Sequence, residues 1–178
     1  TTDADVNFHF DINVKGTIFG VQSVVHVMIA QKQGHIINLA SLAALAPVPG
    51  LALYSASKFA VRGYSLAVGM ELAEQGIAVT TICPDAVQTP MLDQQKGKEQ
   101  AALTFSGTRA LTTQEVVDAI LGKALTDKPL EIILPPMRGV IAKVANSFPT
   151  LAASQLNRLR RLGIKRQNQI KAGKESTS

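Results

Sequence analysis

The 178 residues are 46% apolar, a size and composition suited to one domain with a substantial core. The net charge of +5 is local, because residues 1–150 nearly balance while residues 151–178 hold seven basic residues and one acid. Cys83 is the only cysteine, which excludes an internal disulfide; His9, His26 and His35 lack metal-ligand spacing; and no stretch reaches the ~18 uncharged apolar residues of a membrane span.

The polar, acidic start, TTDADVNFHF, does not read as a signal peptide. Val14, Ile18, Val21, Val25 and Met28 recur at three- and four-residue steps and predict an amphipathic helix over 11–29, ending before Gly34. The apolar run 35–40 predicts a buried strand. Residues 54–75 predict a helix with Phe59, Leu66 and Met70 on one stripe, stopped by Gly76. The β-branched run 77–83 predicts a second strand ending at Pro84. Residues 90–107 read as polar and irregular. Thr112 and Glu115 form a capping box for a helix to about Thr126, and 131–134 reads as a third strand before Pro135 and Pro136. Strand–helix–strand alternation implies an α/β fold with a parallel sheet.

One stretch carries the chemistry. Ser41 ends the first strand, and Tyr54 and Lys58 stand one turn apart at the start of the next helix, on one face. A free phenol loses its proton near pH ~10. A neighbouring ammonium favours the phenolate and makes Tyr54 a proton donor and acceptor nearer neutrality. Ser41 can meet the same substrate oxygen, so the set suggests carbonyl–alcohol chemistry.

FDINVKG, the Ser41…Tyr54-x-x-x-Lys58 set, and CPDAVQTPM after the second strand resemble the short-chain dehydrogenases/reductases over about 8–136. The resemblance implies part of a doubly wound, Rossmann-like parallel sheet and a nicotinamide-dependent oxidoreductase using NAD or NADP. It implies that Tyr54 is the general acid/base and that Lys58 lowers its pKa and holds the cofactor ribose. Ser41 would polarise the carbonyl, and Asn13 would support a water-linked proton relay. Pro84, Val87 and Thr89 match the positions beside the carboxamide. Residues 1–136 are then the catalytic portion and 137–178 a basic helical extension.

Two departures stand out. Asp85 occupies the place of the family's glycine after Pro84, where a carboxylate could alter cofactor or substrate preference. No G-x-G pair occurs among the 13 glycines, so the family's phosphate-binding turn is not in this sequence; the resemblance implies that about four N-terminal strands are missing with it, which would leave an unpaired strand edge. Taken singly, Ser41 could merely end a strand, Tyr54 pack on the apolar loop, and Asn13 and Lys58 face solvent. Taken together at this spacing, chance is a poor account. Cys83 reads as buried rather than reactive.

The apolar run 42–53, with Met91, Leu92, Leu103 and Phe105, suggests a hydrophobic alcohol or ketone; packing of a lid on the body explains it nearly as well. The resemblance also implies a homo-oligomer through the helices at 11–29 and 54–75. Leu151, Leu156, Leu159 and Leu162, with basic residues between them, suggest either contact of 151–171 with an anionic membrane surface or docking on the domain itself. No aromatic residue interleaves the basic tail, so nucleic-acid binding is not expected. The expected location is cytoplasmic, with peripheral membrane contact as the variant. The competing function is a truncated, non-catalytic fragment that acts through subunit contacts.

Overall fold

The computed structural model describes residues 1–175, with side chains to residue 170. Helix α1 (Asp3–Gln31) starts before the predicted 11–29 because Thr2 and Asp5 form a reciprocal capping box, with the Thr2 hydroxyl accepting from Asp5 N at 3.2 Å. An aspartate in place of the usual Glu or Gln hid that signal. Within α1, Phe10–Lys15 is π-helical. The expected stripe holds: Val21 is buried, and Val14, Val25 and Met28 pack against the core clusters. The opposite face exposes Phe8, Ile12, Phe19 and Val27. By length and composition alone α1 could cross a bilayer, with a mean hydropathy of 1.3 in its apolar window.

Strand β1 (Gly34–Leu39) leads through a 3-10 turn (Leu42–Ala44) to α2 (Ala52–Ala73), then to β2 (Ile77–Pro84). Helix α3 (Pro90–Gln95) and a 3-10 segment (Glu99–Phe105) occupy the stretch expected to be irregular. Thr89 caps α3 and Pro90 pre-sets its first turn, a start signal visible in the sequence and passed over. Helix α4 (Thr113–Ala119) begins at the predicted Thr112–Glu115 capping box and runs on through a π turn (Ile120–Ala124) to Asp127. Strand β3 (Glu131–Leu134) falls where predicted, followed by α5 (Pro136–Ser147) and α6 (Pro149–Glu175).

The three strands are parallel in the order β1-β2-β3, with Gly34 opposite Ile77 and Thr81 opposite Glu131. Alternate strand residues feed opposite layers. Ile36, Ile77 and Val79 pack with Val21 and Leu72 under α1 and α2, while Ile82 and Ile132 pack with Ala124 under α4. Helices therefore cover both faces of a parallel sheet, the doubly wound α/β arrangement. The outer edge of β1 has no strand partner among the described residues.

The face of α2 differs from expectation. Met70 is exposed, and the buried side is Ser57, Val61, Ser65, Gly69 and Leu72. Small side chains let the helix approach β2: a Cβ at Gly69 would stand 3.2 Å from Val79 Cβ. Ser65 donates back to Val61 O at 2.7 Å and accepts from Asn38 at 2.9 Å, so its hydroxyl is satisfied in the core. An apolar-only stripe cannot reveal a face built this way.

Helix α6 lies on the 3-10 segment of the lid. Ala102 abuts Gly163, where a Cβ would overlap the Ala102 carbonyl. Gln167, 4% exposed, donates to Lys98 O at 3.3 Å, and Arg166 donates to the carbonyls of Ser106 and Gly107. Leu156 is half-buried on this side while Leu151 points outward, so the four leucines of the predicted stripe do not form one lipid-facing surface.

Candidate active site

Ser41, Tyr54 and Lys58 converge where β1 gives way to α2. Ser41 caps the 3-10 turn, its hydroxyl accepting from Ala43 N at 3.1 Å. The Tyr54 ring lies under the Lys58 ammonium, 5.8 Å from nitrogen to ring centroid, and the His9 ring of α1 approaches its edge at 6.4 Å. Asn13 joins from the π-helical turn of α1: its side-chain amide donates to Ser57 Oγ at 2.9 Å, and Ser57 donates to Tyr54 O at 2.8 Å. The wider π turn admits an extra residue into the helix, the kind of local irregularity that recurs at functional sites. The four residues named from sequence are thus brought to one place. Ser57, the link between two of them, was missed; its position within Y-S-A-S-K, one turn from Tyr54, was the available signal.

The electrostatics depart from expectation in one respect. Burial pushes the Tyr54 phenol above its ordinary value, and the Ser41 hydroxyl pulls it back only in part. Burial also pushes the Lys58 ammonium below its ordinary value. The direction for Tyr54 is thus set by burial, with Lys58 not among its causes. Lys58 Nζ donates to Leu39 O at 3.1 Å and lies 5.8 Å from the Tyr54 ring centroid.

Pro84 ends β2, and the turn after it carries Val87 and Thr89. Leu111 N donates to Ala86 O, and Gln88 N donates to Leu111 O, both at 2.8 Å. Because trans peptides point their two polar groups in opposite directions, the N–H and C=O of Val87 face away from Leu111. Thr89 bonds locally, its hydroxyl 3.3 Å from Val87 O and 3.4 Å from Leu92 N.

Asp85 does not have a left-handed backbone. Its carboxylate accepts from Arg138 Nε of α5 at 2.8 Å, and a Cβ at Gly107 would stand 3.2 Å from Asp85 Oδ2. The acid that replaces the expected glycine is thus neutralised by an arginine from the C-terminal extension. Sequence reading singled out Asp85 but not Arg138, its partner from more than fifty residues away. Cys83 is buried, its thiol pushed up to about 11 by burial and then by Glu131, in line with the inert reading.

A cleft of about 760 Å³ opens between the lid, the loop at 104–110 and α6. Its size suits a small ligand, but of the named site residues only Thr89 lines it. Leu92 and Phe105, which also line this cleft, pack with Ala101 inside the lid.

Residues 1–100 match the family described as short chain dehydrogenase. An uncharacterized oxidoreductase of Listeria monocytogenes is 44% identical over 125 residues, covering 68% of this chain and 50% of that protein. The 2-(R)-hydroxypropyl-CoM dehydrogenase of Xanthobacter autotrophicus is 33% identical over 114 residues, covering 62% and 46%. A short chain dehydrogenase from Burkholderia cenocepacia in complex with NADP superposes with a TM-score of 0.68 at 23% identity, covering 85% of this chain and 58% of that one, a likeness of fold. The chain spans about half the length of the curated relatives it matches. With the match running across the Asn13, Ser41, Tyr54 and Lys58 region on a parallel, doubly wound sheet, the chain belongs to the short chain dehydrogenase family.

Proposed function

We propose that residues 1–136 form the catalytic portion of an NAD(P)-dependent oxidoreductase that interconverts an alcohol and a carbonyl, with 137–178 as a basic C-terminal extension. The observation that carries this reading is the meeting of Asn13, Ser41, Tyr54 and Lys58 at the end of β1, with Ser41 beside the Tyr54 phenol. A nicotinamide supplies or accepts the hydride. The residues present fit its nicotinamide and ribose end: Val87 turns its peptide groups away from Leu111, and Lys58 offers an ammonium for the ribose. Pro84 and Thr89 shape that turn. No G-x-G turn for the phosphates lies in the sequence.

In this reading Tyr54 exchanges a proton with the substrate oxygen while Ser41 donates to the same oxygen and steadies the charge that develops there. Lys58 swings from Leu39 O towards the phenol to bring the Tyr54 pKa down. Asn13 holds Ser57 and through it the first turn of α2. The apolar loop at 42–53 favours a hydrophobic alcohol or ketone. A second copy of the chain is the proposed partner for the outer faces at 11–29 and 54–75, where Ile12, Phe19, Val27 and Met70 are exposed.

The test is NADH and NADPH fluorescence titration together with alcohol oxidation and ketone reduction. Tyr54→Phe should bind the cofactor unchanged and lose turnover by at least about a hundredfold. A variant that keeps its rate overturns the mechanism. The competing reading, a non-catalytic fragment acting through subunit contacts, predicts a different outcome. A folded chain that binds neither nucleotide yet self-associates supports it.

A further inference from the structure

Helix α5 is packed inside out. Its buried residues are Gly139 and Ala142, the first 3.1 Å (from an added Cβ) from Ile133 Cβ and the second in the cluster around Cys83 and Val61. Its large apolar residues point to solvent. Met137, Val140, Ile141 and Val144 are each more than half exposed, and Phe148 and Leu151 extend the series across the junction into α6. Met137, Val140, Ile141 and Val144 share one stripe of α5, and the backbone leaves helical geometry at Phe148 before α6 begins. A contiguous exposed apolar surface of this kind marks an interaction site.

The charges beside it favour one occupant. On α6, Leu151 shares its face with Arg158, Leu162 and Lys165 at heptad-like steps, with Arg161 alongside. The opposite face, with Leu156, Gly163 and Gln167, is the one docked on the lid. Arg160 and Arg166 are engaged inward, by Glu99 at 3.1 Å and by the Ser106 and Gly107 carbonyls. Arg158, Arg161 and Lys165 have no ion-pair partner among the described residues. An exposed apolar stripe on α5, followed in the chain by a helix whose outward face carries uncompensated cations, matches the surface of an anionic bilayer, which offers acyl chains and phosphates in adjacent layers. A two-fold contact between copies would instead lay this basic face against itself.

We propose that α5 and the outward face of α6 dock on an anionic lipid surface, with the exposed apolar residues from Met137 to Leu151 entering the headgroup boundary and Arg158, Arg161 and Lys165 over lipid phosphates. This surface extends the contact expected through 151–171 onto α5 and leaves out Leu156, which is turned towards the lid. It is independent of the catalytic reading.

The experiment is sedimentation of the 178-residue chain with phosphatidylcholine vesicles, with and without phosphatidylglycerol. The chain should pellet with the anionic vesicles and release at high salt. The triple variant Arg158→Gln, Arg161→Gln, Lys165→Gln should lower partitioning on the order of a hundredfold, from about fivefold per cation. The double variant Ile141→Asp, Val144→Asp should abolish binding, whereas Phe19→Asp, on the exposed face of α1, should leave it intact. Phe148→Trp supplies a second readout, a blue shift of emission when anionic vesicles are added. Equal binding to neutral vesicles, loss only in Phe19→Asp, or no blue shift overturns the proposal. So does a dimer that the α5 double variant dissociates while vesicles bind nothing, which would make a second copy the occupant.

Discussion

Gly163→Ala separates two effects of opposite sign on α6. In an isolated helix the change is favourable by about 1 kcal/mol, because alanine loses less backbone freedom. Docked on the lid, the new Cβ would overlap the Ala102 carbonyl oxygen and stand 2.7 Å from its carbon, against an ordinary carbon–carbon contact of about 3.5–4.0 Å. Both partners are backbone, so no side chain can rotate away. The helix must retreat by roughly 1 Å, at an overpacking cost of about 1–3 kcal/mol, and the bonds of Gln167 and Arg166 to lid carbonyls stretch with it. The helix gain is common to the docked and undocked states, so docking should weaken by about 1–3 kcal/mol, which is roughly 5–150-fold more frequent opening. Amide exchange at 99–105 should accelerate by that factor while helicity holds or rises. Unchanged or slower exchange at the lid, with a higher Tm, would refute the close packing of α6 on Ala102.

Three further perturbations test other parts of the structure. Glu131 accepts from Arg62 at 2.6 Å and Lys143 at 2.7 Å, so it ties α2, β3 and α5 together. Glu131→Gln should cost about 2 kcal/mol in urea unfolding by leaving Arg62 unpaired and half-buried, and a loss under about 0.5 kcal/mol would contradict a structural role for the network. With its thiol pushed up to about 11, Cys83 should resist iodoacetamide at neutral pH until the chain is unfolded; rapid labelling of the native protein counts against its burial. Burial, and then Lys128, lower the His35 pKa from its ordinary 6.5, so the neutral ring is the form the fold prefers. The stability it contributes is complete above about 6.5 and is lost as pH falls from there through the lowered folded value. His35→Gln should flatten the urea midpoint across that window, and an unchanged slope rules out His35 as the group responsible.

What could be read in the sequence was whatever depends on local period and punctuation. The inner stripe of α1, the strand at 131–134 and the Thr112–Glu115 capping box appear as expected, because each is set by residues within a turn or two. The face of α2 was hidden because serines and glycine form its buried side, and their hydroxyls find partners only in the folded chain. Ser41, Tyr54 and Lys58 were legible as a spaced set, but the direction of the Tyr54 shift was not. It follows from the burial of the phenol in the folded chain, and Lys58 Nζ is held by a carbonyl nineteen residues earlier. Arg138 at Asp85 and Arg166 at the lid are long-range pairings that no local pattern announces.

The bond from Lys58 to Leu39 O makes the sheet edge and the phenol rivals for one cation. Ala40 N donates to Ile82 O at 2.8 Å, so the Leu39 carbonyl, on the same trans peptide, looks outward from β1. Lys58 thus sits as a bolt across the last acceptor of an otherwise open edge. A neighbouring strand that zipped along β1 as far as Leu39 would claim that acceptor and free the ammonium to reach Tyr54. Filling the edge and arming the phenol would then be one event.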